Sequence, residues 1–227
     1  SYVPLIGGDQ AVLQPERMAL AHLAAAFDRE EAIRRLNGEM GPEKAESLLN
    51  VAENPRFSPP TSSCGRMFDA VAALVGLRRT ISYEGQAARE LEAASDPAEK
   101  KAYEFPIGET EIPTGPVFRR ICEDRDRGIA AGRIAARFHN GLVDLIVKVC
   151  ARLREIENVK TVALSGGVMQ NRTLVSRTIS ALEEEGFRVL RHRLVPPGDG
   201  GICLGQVACA RAVDKESGEH SFSPQIS

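Results

Sequence analysis

Near residue 158 the hydrophobic period of this chain changes, and few architectures accommodate both sides of the change. From Gly128 to Ile156, apolar residues at Ile129, Ile134, Phe138, Leu142, Leu145, Ile146, Val149 and Leu153 mark one buried stripe of a long helix. Immediately afterwards the spacing is lost. Val159 to Leu164 is a short apolar run suited to a buried strand, followed by a glycine turn and a helix from about Asn171 to Glu185. A second strand follows over Phe187–Leu190. After the loop Pro196-Pro197-Gly198-Asp199-Gly200-Gly201, a small-residue helix carries Ile202, Leu204, Val207, Ala208 and Ala210. Strand, helix and strand behind a helical body place the chain in a helix-rich α/β class.

The body itself reads as helices broken by proline and glycine. Pro15 fits the first turn of a helix, where its missing N–H is not needed, and Met18, Leu20, Ala21 and Leu23 supply the apolar face. A second helix starts at Pro42 with Leu48, Leu49 and Val51 packing, and Asn54-Pro55 closes it before the loop Ser58 to Ser63. Met67, Phe68, Val71, Ala72, Leu74 and Val75 then recur at helical spacing until Gly76 ends the run. The stretch 86–102 reads as charged, solvated helix, interrupted near Asp96-Pro97, with no chemistry of its own. No internal repeat is visible, and the tail from Lys215 onward is polar and is expected to fray.

Composition narrows the partners. The 227 residues carry 29 basic and 31 acidic side chains, a formal net charge of −2, which argues against a nucleic-acid binder because such proteins carry a basic excess or stripe. Small anions such as nucleotides remain compatible. No stretch approaches the ~18 apolar residues of a membrane span, and Ser1-Tyr2-Val3-Pro4 lacks a signal-peptide layout. A soluble cytoplasmic protein is therefore expected. The five cysteines (Cys64, Cys122, Cys150, Cys203, Cys209) include no CxxC pair, so buried reduced thiols are the expectation. The chain begins at Ser1, which leaves open that it is a piece of something longer.

Three segments have the composition of a ligand site. In Leu164-Ser165-Gly166-Gly167-Val168-Met169-Gln170-Asn171 a strand runs into glycines that permit close backbone approach, and the next helix offers free N–H groups to a phosphate. The segment is neither a Walker A loop nor a GxGxxG fingerprint. A tight turn without a ligand explains it equally well, and Asn171 is a helix cap or a ligand contact on the same terms. In Pro197-Gly198-Asp199-Gly200-Gly201 one carboxylate is framed by glycines. Asp199 there is an N-cap or a ligand for a divalent metal, and one carboxylate alone does not make a metal site. In Thr61 to Asp69, Gly65 and Asp69 stand four apart on one helix face, an arrangement suited to a ribose or to a permissive helix start with a solvated aspartate. Cys64 reads as a filler, Tyr83-Glu84-Gly85-Gln86 as a surface turn, and His139 on the long helix as a packed or partly solvated residue. The four histidines His22, His139, His192 and His220 have no metal-pair spacing.

Taken in order, these pieces resemble the C-terminal part of HypF, the hydrogenase-maturation carbamoyltransferase family. The segments that carry the likeness are Gly7-Gly8-Asp9 with Gln14-Pro15-Glu16-Arg17, Ser63 to Ala72, Ile81 to Ala87 and Asp199 to Gln206, over about residues 4–213. More distantly the chain is similar to TsaD, the tRNA threonylcarbamoyladenosine transferase. The resemblance implies the C-terminal lobe of an actin-like (ASKHA, ribonuclease H-like) nucleotide-binding domain with helical insertions over residues 1–213, its first lobe missing, then a polar tail over 214–227. It implies transfer of a carbamoyl group, from carbamoyl adenylate made with carbamoyl phosphate and ATP, to the C-terminal cysteine of the partner HypE. By motif, Gly65 and Asp69 would hold the ribose side, Gly166 and Gly167 the adenosine or phosphate, Asn171 would hydrogen-bond the nucleotide, and Asp199 would bind a divalent metal. The family's paired histidine ligands are absent from these residues. A TsaD-like enzyme and a nucleotide-binding or docking module without turnover are the alternatives.

Overall fold

The computed structural model describes residues 1–36 and 40–217. In chain order it contains β1 (Val3–Pro4), α1 (Gln10–Leu13), α2 (Pro15–Ala26), α3 (Arg29–Leu36), α4 (Pro42–Ala52), β2 (Pro60–Thr61), α5 (Cys64–Leu74), α6 (Gln86–Ala94), α7 (Gly115–Asp126), α8 (Ala131–Glu157), β3 (Thr161–Leu164), α9 (Arg172–Glu184), β4 (Arg188–Arg191) and α10 (Ile202–Ser217). Short 3₁₀ turns at Gly167–Gln170 and Asp199–Gly201 precede α9 and α10.

Most of the mass is a helical body around α2. Pro15 opens that helix as the sequence requires, but its apolar residues lie all round, and Met18 to Leu23 and Ala26 are all buried. A helix without a polar face belongs inside a body and not on its rim. Small residues Ala70, Ala72 and Ala73 let α5 lie close against α2. The His22 ring stacks on Phe118 of α7 at 4.3 Å, and Phe68 of α5 meets Phe138 of α8 edge-on at 5.0 Å. Gly76, at φ +78°, ends the α5 segment as expected.

The stretch 86–102 departs from the expectation of a solvated helix. Helix α6 ends at Ala94, and its Ala87 and Leu91 are fully buried. The following residues form an extended strap along α8. Asp96 N–H donates to Gly132 O at 2.9 Å, and Tyr103 N–H donates to Arg137 O at 3.0 Å. A Cβ on Gly141 would overlap the Tyr103 carbonyl, so glycine there is what lets the strap lie down. Arg137 then spans Glu99 (Nη2 to Oε2, 2.9 Å) and Asp124 (Nη1 to Oδ2, 2.6 Å), and the Tyr103 hydroxyl donates to the same Asp124 oxygen at 2.7 Å. Helices α3 and α7 have no counterpart in the sequence reading. In α7 the run of charges between Arg119 and Arg127 masks Val117, Phe118, Ile121 and Cys122, all of which are buried.

The strands behave partly as expected. β3 and β4 pair in parallel, Thr161 opposite Arg188 and Leu164 opposite Arg191, with α9 as the crossover. Leu164, Leu182 and Phe187 form a small second core that Ile146, Val147 and Cys150 of α8 join. The first strand is not the buried one its composition implies: Leu164 is buried, whereas Thr161 and Ala163 are exposed, because no layer among the described residues covers that face of the pair. Nor are all thiols buried. Cys203 and Cys209 lie exposed on α10, alongside exposed Ile202, Leu204 and Val207. That helix continues through Ser217; residues 218–227, including His220, lie outside the described residues. Among the described residues no helix is long and apolar enough to cross a membrane.

Candidate nucleotide site

The two glycine segments meet. β3 delivers Ser165, Gly166 and Gly167 to its carboxyl end, where parallel-sheet proteins place ligands. Gly166 has φ +100°, a conformation that side chains rarely adopt. Its N–H donates to Pro197 O at 2.7 Å, which fastens the second glycine segment to the first. A Cβ on Gly198 would approach Gln170 Nε2 to 3.1 Å, a tight contact, and Gly167 Cα to 3.5 Å, an ordinary one, so the two loops pack closely. The Ser165 hydroxyl lies 3.1 Å from His192 Nε2 and 3.3 Å from Pro197 O, tying the ends of both strands together. Asp199 follows in the exposed 3₁₀ turn.

The third segment arrives from the helical body. Ser63 caps α5, accepting from Arg66 N–H at 3.4 Å, and places Gly65 in the first turn. A Cβ on Gly65 would come within 3.9 Å of Val168 Cγ2, so this turn abuts the glycine loop. Asn171 is the N-cap of α9: its Oδ1 accepts from Leu174 N–H at 2.8 Å. Its Nδ2 lies 3.0 Å from His139 Nε2. Thr173 N–H, also in the first turn of α9, donates to Glu92 of α6 at 2.8 Å. Gly65, Gly166, Gly167, Asn171 and the segment carrying Asp199 thus converge on one turn, across a sequence separation of more than a hundred residues.

Asp69 lies apart from that surface. It is fully buried one helical turn beyond Gly65, with Arg66 Nη2 at 3.0 Å, yet neither carboxylate oxygen has a hydrogen-bond partner among the described residues. Burial raises its pKa to about 6, the Arg66 guanidinium opposing and Glu84 adding to the rise. A cleft of about 850 Å³ opens beside the glycine loop. Gly166 and Gly167 line it, facing Met67 of α5 and Leu142, Leu145 and Val149 of α8. Cys64 is also in its wall, and burial pushes that thiol up to about 12, which keeps it protonated and fits a filler.

Two contributors escape the sequence. His139 is completely buried and reaches Asn171, although 32 residues separate them and no motif links the two. Glu92 comes from the stretch read as solvated. Only the apolar periodicity around His139 carries any signal, and it points to packing.

The pattern of the protein family described as carbamoyltransferase, Kae1-like domain, second subdomain, matches residues 1–206. Carbamoyltransferase HypF of Rhizobium leguminosarum bv. viciae is 37% identical over 212 residues, 93% of this chain and 27% of that protein. Carbamoyltransferase HypF of Synechocystis sp. is 35% identical over 223 residues, 89% of this chain and 28% of that protein. A crystal structure of full-length HypF in the phosphate- and nucleotide-bound form superposes with a TM-score of 0.86 at 33% identity, covering 94% of this chain and 28% of that one. The chain therefore spans little more than a quarter of the length of these relatives. With a helix-rich lobe of the actin-like fold and a family match over nearly its whole length, the chain belongs to the carbamoyltransferase Kae1-like domain family, as its second subdomain.

Proposed function

We propose that this chain supplies one wall of the nucleotide cleft in a HypF-type carbamoyltransferase. The observation that carries the reading is the convergence of Gly65, Gly166, Gly167 and Asn171 on a single turn at the end of β3, backed by the nucleotide-bound state of the HypF crystal structure it resembles. The whole enzyme consumes ATP and carbamoyl phosphate and moves the carbamoyl group, as carbamoyl adenylate, onto the C-terminal cysteine of a HypE-like carrier in the cytoplasm, toward the cyanide ligands of nickel-iron hydrogenase. In that step the carrier's thiolate sulfur bonds to the carbamoyl carbon, the bond from that carbon to the phosphate oxygen breaks, and AMP leaves. The remaining domains of the same polypeptide would make the adenylate.

Each residue has a task in this scheme. The N–H groups of Gly167 and Val168 open the 3₁₀ turn and have no partner among the described residues, so they are free to meet the phosphate as its charge grows. Gly65 leaves space for the nucleoside against α5, Asp69 with Arg66 supports its ribose side from beneath, and Asn171 donates to it. A metal fits less well. Asp199 is an accessible oxygen donor, but no group of three metal-ligating side chains exists among the described residues, so those residues do not by themselves make an ion site. Asp199 would be one ligand of a site completed elsewhere, and no step here depends on it.

Titration calorimetry with ATP or a carbamoyl-adenylate mimic tests the cleft. Gly167→Asp, which puts a carboxylate where phosphate would lie, is expected to abolish the binding heat. Undiminished heat in that variant would refute the reading. In the full-length enzyme, Asp199→Ala is expected to weaken binding of a divalent metal ion, read by titration calorimetry with the ion alone.

A further inference from the structure

The surroundings of Asn171 determine which hydrogen atom goes where. The Ala135 carbonyl can only accept, so His139 Nδ1, at 2.7 Å from it, must carry a proton. The Leu174 N–H can only donate, so the Asn171 oxygen must be the atom that receives it at 2.8 Å. Between these two fixed ends lies the 3.0 Å contact from Asn171 Nδ2 to His139 Nε2. It is a hydrogen bond only if Nε2 is bare and accepts from the amide. One amide hydrogen is then spent on the histidine, and the second has no partner among the described residues.

We propose that His139 is a positioning residue: neutral and protonated on Nδ1, it holds Asn171 so that the amide presents only an N–H to the ligand, and position 171 thereby selects a hydrogen-bond acceptor. The role rests on the nucleotide reading above, whereas the hydrogen-bond relay stands on geometry alone. Burial among apolar groups favours the neutral form. The Phe68 ring of α5 meets it edge-on at 5.2 Å, and no water-facing edge remains. Burial lowers its pKa below the usual histidine range. The Ala135 carbonyl and Glu92 of α6 oppose that fall, and Arg177 of α9 reinforces it. An acceptor such as a ribose or phosphate oxygen satisfies the free N–H. A donor in the same place would face it head-on.

Two measurements on the 227-residue chain decide the matter. In ¹⁵N-histidine spectra, His139 is expected to show a proton on Nδ1 and none on Nε2 at neutral pH. A proton on Nε2 would overturn the relay whatever the protein binds. In ATP titrations, His139→Phe keeps the ring but removes the acceptor and is expected to weaken binding roughly tenfold, the scale of one hydrogen bond to a ligand. His139→Gln, whose amide oxygen reaches the position of Nε2, is expected to restore most of the affinity. In an Asn171→Ala background His139→Phe should have no further effect. Equal ATP affinity in wild type and His139→Phe would refute the positioning role. A wild-type chain that binds no ATP would count against the nucleotide reading, and the spectrum would still decide the relay. Should His139→Phe fail to fold, the glutamine variant and the spectrum carry the test.

Discussion

Gly166 at φ +100° is the residue on which the site turns. An L side chain there forces either strain or a different path for the loop, and the Gly166 N–H to Pro197 O bond would be lost with the path. Gly166→Ala is expected to cost about 1–3 kcal/mol in urea denaturation and to weaken nucleotide binding more than that loss of stability alone would. These glycines were legible in the sequence because backbone chemistry leaves few reasons for two in succession after a strand. Asp69 was legible as to position but not as to surroundings: spacing puts it on the face of Gly65, and only packing shows that the face is buried. His139 shows the limit of such reading. Its partner is brought by a fold, and a lone histidine among apolar residues looks the same with or without one.

Among the elements, α8 links the helical body to the strand pair. Its Arg137 holds two carboxylates that belong to different segments, and the backbone N–H of Lys101 with Arg137 and Arg133 keeps Glu99 far below the usual carboxylate range, at about 2. Removing the cation takes from two buried carboxylates the partner they share, leaving Glu99 to Arg133 and the Lys101 N–H and Asp124 to the Tyr103 hydroxyl. Arg137→Met is therefore expected to destabilise the protein by about 3–5 kcal/mol, read as a lower urea midpoint, and to speed proteolysis within the strap 95–114. The long helix itself was plain from its period, as were α2, α4, α5 and α9. The strap and α7 were not, because their structure comes from contacts with α8 and α2, and their own sequences are too charged for a periodic signal to survive.

At the scale of the molecule, pH exposes how the core is built. His22 is stacked and buried, and burial, with the Ser1 ammonium adding to it, lowers its pKa to about 3; His139 is lowered as well. Both bind protons more readily when unfolded, so stability is complete above the unfolded value near 6.5 and declines as pH falls through that range. Asp69 runs the other way: its raised pKa adds stability that is full below about 4 and lost as pH rises through about 6. Two histidines outweigh one carboxylate, so the melting temperature should drop between pH 7 and 5. The asparagine variant His22→Asn, which preserves the reach to Thr114 Oγ1, should flatten that slope. A profile rising toward acid would contradict this account of the core.

The 27 residues of α8 make a rod about 40 Å long. Its first half is embedded among the buried helices, and its second half supports the small core beneath β3 and β4. It contains no proline at which it could hinge. Any torque applied to the strand pair is thus delivered through a stiff shaft. That shaft carries the imidazole of His139 about a third of the way along it, so a shift of the strand pair against the helical body would also bear on the aim of the Asn171 amide.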